Sequence, residues 1–349
     1  MSERNLRSGP TGKGIEYEAR EANSNTLAMV NARALADILS MPDAIELVTT
    51  AMREVSDGMV VAPERGGVAV GNGTLVLMQG AMTHINRFGV KVLSLFPPAA
   101  SSLLPGHQGL MLLFDAHDGR PLCALDSHAL TTLRTAAASA VATKALSRSD
   151  SRSVALIGCG ALAPLHAQAL CLVRPVEEII VWSRSTEKAR LFADQCSERL
   201  GKKLTVAASV QEAVERADIV CTLTGAQSPI LEGRWLRAGQ HLNLVGASTR
   251  AAREVDDETV ARGRFIVDSR AHALSQAGEL RHALESGCVQ EEHVAAEIGE
   301  VLAGRASGRD DRSMITIYKS LGHVAQDIRV AGAVFDGLDR SQHVVRVEW

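Results

Sequence analysis

Val154-Ala155-Leu156-Ile157-Gly158-Cys159-Gly160-Ala161-Leu162-Ala163 is an apolar strand that runs through Gly-x-Gly-x-x-Ala into a helical pattern. In such a turn Gly158 makes the tight bend, Gly160 lets a pyrophosphate approach the backbone, and Ala163 lets helix and strand pack closely. The phosphates then sit at the positive end of the helix, beside Ala161 and Leu162. A glycine pattern alone is weak, so its surroundings decide. From Ser153 onward, apolar strands are predicted at Val154–Ile157, Ile179–Trp182, Leu204–Ala207, Ile219–Leu223, Leu242–Val245 and Phe265–Val267, with helical segments between most of them. That alternation predicts an α/β fold with a Rossmann-type, doubly wound parallel sheet, expected over residues 148–317.

The second strand should end where an adenosine ribose is read. A carboxylate there would accept from the 2′-hydroxyl of NAD, but the strand ends Trp182-Ser183-Arg184-Ser185-Thr186, with no acid before Glu187. A guanidinium flanked by the hydroxyls of Ser183 and Ser185 suits a 2′-phosphate, so NADP(H) is expected in preference to NAD(H).

Upstream, residues 31–58 read as helix, with a turn beginning at Met41-Pro42-Asp43. Strand-like pieces follow at 67–70, 74–79, 89–96, 110–115 and 121–125, and then Ala129–Leu146 reads as a long Ala- and Thr-rich helix. This predicts a separate α+β domain over 27–147, of antiparallel character, to which a last helix near 322–335 returns. Helices are expected from Asp268 to about Gly304. Residues 1–26 read as a polar leader without an apolar run.

With 349 residues, 46% hydrophobic and a formal charge of −3, the chain can build two cores and offers no basic face for nucleic acid. Its apolar stretches are too short to span a membrane. The six cysteines, without paired spacing, read as buried reduced thiols of a cytoplasmic protein, and no metal site is expected. His84, His107 and His323 read as structural, and Asp256-Asp257 as a helix start.

Leu133-Arg134-Thr135-Ala136-Ala137-Ala138-Ser139-Ala140 places an arginine in a run of small residues, where a buried guanidinium must meet an anion. Together with Pro63-Glu64-Arg65, Gly89-Val90-Lys91, the Gly158 turn and Ile317-Tyr318-Lys319-Ser320-Leu321-Gly322, this run resembles the ornithine cyclodeaminase/mu-crystallin family over about residues 30–335. The resemblance implies that 27–147, with about 318–349, forms a substrate-binding domain that pairs two copies into a homodimer. It implies that Lys91, Arg134 and Arg65 are the active-site cations. It places Thr135, Thr222, Ser248 and Ser320 beside the cofactor.

Where cyclodeaminases carry a catalytic aspartate, this chain has Ser248, which cannot accept an amine proton as a carboxylate would. The reading is therefore NADPH-dependent reduction of a small imino-acid such as pyrroline- or piperideine-2-carboxylate. A cyclodeaminase-type lyase using bound NAD+, an alanine-type dehydrogenase and a non-enzymatic binder of NADPH remain alternatives. Leu110, at a position where the family commonly has threonine, is expected to remove a hydroxyl from the pocket.

Overall fold

The structure, a computed structural model, describes residues 26–96 and 106–348, so the polar leader lies outside it apart from Thr26. Its strands are β1 (Thr26–Val30), β2 (Gly66–Val70), β3 (Gly73–Met82), β4 (Arg87–Leu95), β5 (His107–Asp115), β6 (Pro121–Asp126), β7 (Ser153–Ile157), β8 (Glu178–Trp182), β9 (Lys203–Val206), β10 (Ile219–Thr222), β11 (His241–Leu244), β12 (Arg264–Val267), β13 (Val294–Glu297), β14 (Thr316–Lys319) and β15 (Val345–Glu348).

They form two sheets. One runs β13-β12-β14-β11-β10-β7-β8-β9 and is parallel throughout. It contains all six expected strands and two more. The expected helical run after Asp268 is interrupted by β13, and β14 inserts between β11 and β12, so a boundary at 317/318 would cut a central strand. β14 escaped notice because Thr316, Tyr318 and Lys319 break its apolar run although each is fully buried. The polar ends are mostly satisfied inside: Thr316 donates to the Leu146 carbonyl and Lys319 pairs with Glu279 at 2.9 Å.

The other sheet runs β15-β1-β6-β5-β4-β3-β2. Its neighbours are antiparallel except β1 and β6, which lie parallel. The helix expected over 31–58 is two: α1 (Ala32–Ile38) and α2 (Met41–Ser56). Ser40 starts the second, because its side chain caps Asp43 N–H while Asp43 reaches back and Pro42 fixes the first turn.

α3 (Ser127–Leu146) is capped by Asp126, whose carboxylate accepts from His128 N and Ala129 N. Small residues around its whole circumference let it be buried on all sides, against α2, β5, β11 and β14. It is the wall shared by both sheets. α4 (Ala163–Val173) follows the glycine turn. Around the parallel sheet come α5 (Thr186–Leu200), α6 (Val210–Arg216), α7 (Asp257–Arg262), α8 (Arg270–Gln276), α9 (Gly278–Glu285) and α10 (Ile298–Leu302). Asp256 caps α7 by accepting from Thr259 N. The last helix, α11 (Val324–Asp336), packs on α2, α3, β3 and β4, as expected for a segment returning to the first domain.

Candidate active site

Lys91 lies on β4, and its register partners Met78 and Met111 are both buried, so its side chain enters the core between the sheet and α11. Nothing of it is exposed. Nζ donates to both oxygens of Asp327 at 2.9 and 2.8 Å and lies 3.4 Å from Thr131 Oγ1. Arg134 reaches the same carboxylate from α3, Nε to Oδ1 at 3.1 Å, and its Nη1 donates to Gln326 Oε1 at 3.2 Å. One buried aspartate on α11 thus gathers two of the three predicted cations.

Arg65 comes from the segment before β2 and donates from Nη2 to the Leu321 carbonyl at 3.0 Å. It belongs to the same electrostatic cluster: Asp268 and Asp327 favour its charge, while Arg134 and burial oppose it, with burial dominant. Burial likewise pulls Lys91 down to about 8, against the opposing pull of Asp327, and the charges of Arg134 and Arg65 add to the lowering. Asp327 is held below the usual carboxylate range because its two cations outweigh its burial. A lysine near 8 can both hold and release a proton in neutral solution.

These groups face the carboxyl edge of the parallel sheet. Gly158 follows β7 with φ +112°, and a Cβ there would meet the Leu223 carbonyl at 2.8 Å, so only glycine fits the turn. Beside it, Thr224 follows β10, and a Cβ on Gly246 after β11 would meet Thr224 O at 2.1 Å. Ser320 N donates to Leu244 O, which brings the loop after β14 to the same edge. There Gly322, with φ +82°, touches the Arg134 guanidinium: a Cβ would lie 2.6 Å from Nη1. Cation cluster and glycine turn therefore lie along the same sheet edge.

His166 strengthens that link. Its Nδ1 must carry the proton, because it lies 2.8 Å from the Leu162 carbonyl, so Nε2 accepts from Ser139 of α3 at 3.0 Å. Burial holds the ring neutral by lowering it to about 4. The helix that carries Arg134 is thereby pinned to the phosphate turn.

The turn fits a nucleotide. An added Cβ on Gly160 would meet nothing within 4 Å, and α4, with Leu162 at its N-cap, has no side-chain cap, although Ala163 N already donates to Gly160 O and Pro164 carries no N–H. Ala161 is exposed there. Thr135 Oγ1 and Ser320 Oγ are buried without a hydrogen-bond partner among the described residues, as befits atoms awaiting a ligand. At the end of β8, Ser183 Oγ accepts from Ser185 N, Ser185 caps α5, and Arg184 is exposed, its guanidinium without a partner among the described residues. Thr222 differs: its hydroxyl donates to Glu254 at 2.7 Å and is committed inside the protein. Ser248 lies half-buried beyond β11.

Leu110 corrects an expectation. It pairs with Val92 on β5, one residue from Met111, so it faces away from Lys91 and is 42% exposed. It removes nothing from the cation pocket. The cysteines are corrected too: all are unpaired, but only Cys123, Cys196 and Cys221 are buried and Cys288 is exposed. His323 caps α11 through Nδ1, stacks on His272 at 5.2 Å, and is pushed down to about 3 by burial. His84 pairs with Glu54 at 3.0 Å, and His107, exposed at the start of β5, lines a cavity with Asp126 and His128.

Three acids went unmarked in the sequence: Asp327, Asp268 and Glu254. Glu254, fully buried, accepts from Thr222, Thr224, Gly246 and Ala247 and knits the ends of β10 and β11 together.

A dinucleotide-type turn and a buried cation cluster on one sheet edge suit a nicotinamide-dependent oxidoreductase. A model of the ornithine cyclodeaminase/mu-crystallin family matches residues 26–342, and the chain belongs to that family. It is 31% identical over 313 residues to a delta(1)-pyrroline-2-carboxylate reductase of Bacillus cereus, covering 89% of this chain and 96% of that protein. It is 35% identical over 282 residues to the mouse ketimine reductase mu-crystallin, covering 80% and 86%. The structure of Thermococcus litoralis delta(1)-pyrroline-2-carboxylate reductase in complex with NADH and L-proline superposes with a TM-score of 0.86 at 34% identity, covering 89% and 97%. No helix of the described residues is long and apolar enough to cross a membrane.

Proposed function

We propose that the protein reduces a small monocarboxylic imino-acid, of the pyrroline- or piperideine-2-carboxylate kind, with NADPH. The observation that carries this is the charge of the buried cluster. Among the described residues Lys91, Arg134 and Arg65 face the carboxylates of Asp327 and Asp268, which leaves one unmatched positive charge for one substrate carboxylate. Burial raises Asp268 above the usual carboxylate range, but the backbone N–H groups on both its oxygens and the nearby Arg65 favour the ionised form that this charge balance takes. The relatives named for imino-acid reduction support the same reading.

The nicotinamide, when bound, supplies the hydride. Arg65 and Arg134 hold the carboxylate, and Lys91 Nζ gives the proton that the imine nitrogen gains as its carbon is reduced. In this reading Gly158, Gly160, Ala161 and Leu162 hold the phosphates, Thr135, Ser248 and Ser320 line the nicotinamide side, and Ser183, Arg184 and Ser185 hold the 2′-phosphate. The cofactor half is residues 148–317 extended through β14, and the remainder forms the substrate half.

The outer face of the seven-stranded sheet supports a homodimer. Cross-strand register places Val68, Leu75, Val92, Leu110, Met29 and Val345 on it, of which Val68 is 61% and Val345 57% exposed. A single-subunit mass by sedimentation at micromolar concentration contradicts this. A cytoplasmic location fits the unpaired cysteines.

The test is oxidation of NADPH or NADH by the purified protein with each cyclic imine. Turnover with NADPH is expected to exceed that with NADH, and Arg184→Ala is expected to reduce that preference about tenfold, equal to about 1.4 kcal/mol. Absence of turnover with both imines and both cofactors refutes the proposal. Because Lys91 keeps its proton below about 8, kcat/KM for reduction should fall as pH rises through that value, while the reverse oxidation should rise. A limb that persists unchanged in Lys91→Arg assigns the titration to another group.

A further inference from the structure

Asp268 follows β12 and is 1% exposed, yet among the described residues no cation forms an ion pair with it. Its oxygens instead hold backbone. Oδ2 accepts from Leu321 N at 2.8 Å and Gly322 N at 2.7 Å, and Oδ1 accepts from Ser269 N at 2.9 Å. The two amides on Oδ2 belong to the loop that touches both arginines: the Leu321 carbonyl receives Arg65, and Gly322 lies against the guanidinium of Arg134. We propose that Asp268 is a positioning residue that sets the two carboxylate-binding arginines through this loop, without touching substrate itself.

The geometry requires an acceptor of this kind. The Leu321 and Gly322 amides are buried and need an acceptor, and the carbonyl that anchors Arg65 belongs to the residue whose N–H Asp268 takes. Burial pushes Asp268 above the usual carboxylate range, while the Gly322 and Leu321 amides on its oxygens and the nearby Arg65 pull it back toward the ionised form, the stronger acceptor. Loss of that acceptor lets the loop relax and both guanidinium groups drift, which weakens the grip on a carboxylate more than it alters proton or hydride transfer.

The inference rests on the imino-acid reading for its kinetic arm and is independent of it for its structural arm. In Asp268→Asn, amide hydrogen exchange at Leu321 and Gly322 should accelerate at least tenfold relative to wild type, whatever the substrate. Unchanged exchange at both overturns the proposal. With pyrroline-2-carboxylate, KM for the imine should rise at least tenfold, while kcat and the KM for NADPH change less than threefold. Combined with Arg65→Ala, the second change should add little, since one acts through the other. Multiplicative effects, or a defect confined to kcat, also overturn it. Should Asp268→Asn not fold, Asp268→Ser, which keeps one oxygen in a smaller volume, carries the same measurements. If wild type turns over no imine, the functional reading fails, and the exchange experiment still decides the role of Asp268.

Discussion

Replacing Lys91 by Met is expected to lower kcat/KM for imine reduction at least a hundredfold, about 2.7 kcal/mol of barrier, with most of the loss in kcat. Met preserves the length of the stem that packs between β4 and α11, and Asp327 keeps Arg134 at 3.1 Å, so the fold should tolerate the change. The proton at the imine nitrogen then has no donor. Arg134→Met should produce the complementary defect, a rise in KM of tenfold or more with a smaller effect on kcat, because Asp327 retains Lys91 at 2.8 Å while the carboxylate loses a partner. Steady-state kinetics on both variants separate these roles. If neither change reduces turnover by tenfold, the pocket lies elsewhere.

How the sequence reached that pocket differs from residue to residue. Gly158, Gly160 and Ala163 are adjacent in the chain, and their backbone requirements are local, so the turn and the six strands around it could be read directly. Lys91, Arg134 and Arg65 are remote from one another. Only the family resemblance brought them together, since their convergence depends on how α3 and α11 pack against β4. Leu110 shows the limit: one residue along a strand reverses the face, and the sequence did not fix which residues share the face of Lys91.

Asp327 left a signal that went unused. Val324, Ile328, Ala331 and Val334 mark the buried stripe of α11, and an aspartate three residues after Val324 and one before Ile328 falls on that stripe. A charge there must find a partner. Asp268 left a weaker one, an acid ending the apolar run Phe265-Ile266-Val267 at the edge where ligands bind. For Glu254 no such pattern exists, because its partners are threonine hydroxyls and backbone amides at strand ends whose meeting is set by sheet order alone.

The stripe makes Asp327 the residue whose loss should be felt most widely. Asp327→Asn keeps the volume but leaves Lys91 and Arg134 as like charges in a buried site, and breaking such a pair from one side costs about 3–5 kcal/mol. The variant should unfold at markedly lower urea concentration and lose imine reduction. The deficit should depend on pH in a direction fixed by the charges. Asp327 lies below its ordinary 3.8 in the folded protein, so the stability it contributes is complete above that value and fades as pH falls below it, which shrinks the gap between variant and wild type in acid.

At the alkaline end Lys91 matters. Its folded value of about 8 is below the unfolded 10.5, so between those values the unfolded chain binds the extra proton and rising pH favours the folded state. In the variant the attraction of Asp327 is gone and Arg134 and Arg65 remain, so Lys91 should release its proton at still lower pH. The variant's unfolding midpoint should therefore gain on that of wild type as pH rises toward 8. A gap that stays constant from pH 3 to 9 is incompatible with Asp327 acting as the shared counter-ion of the two cations.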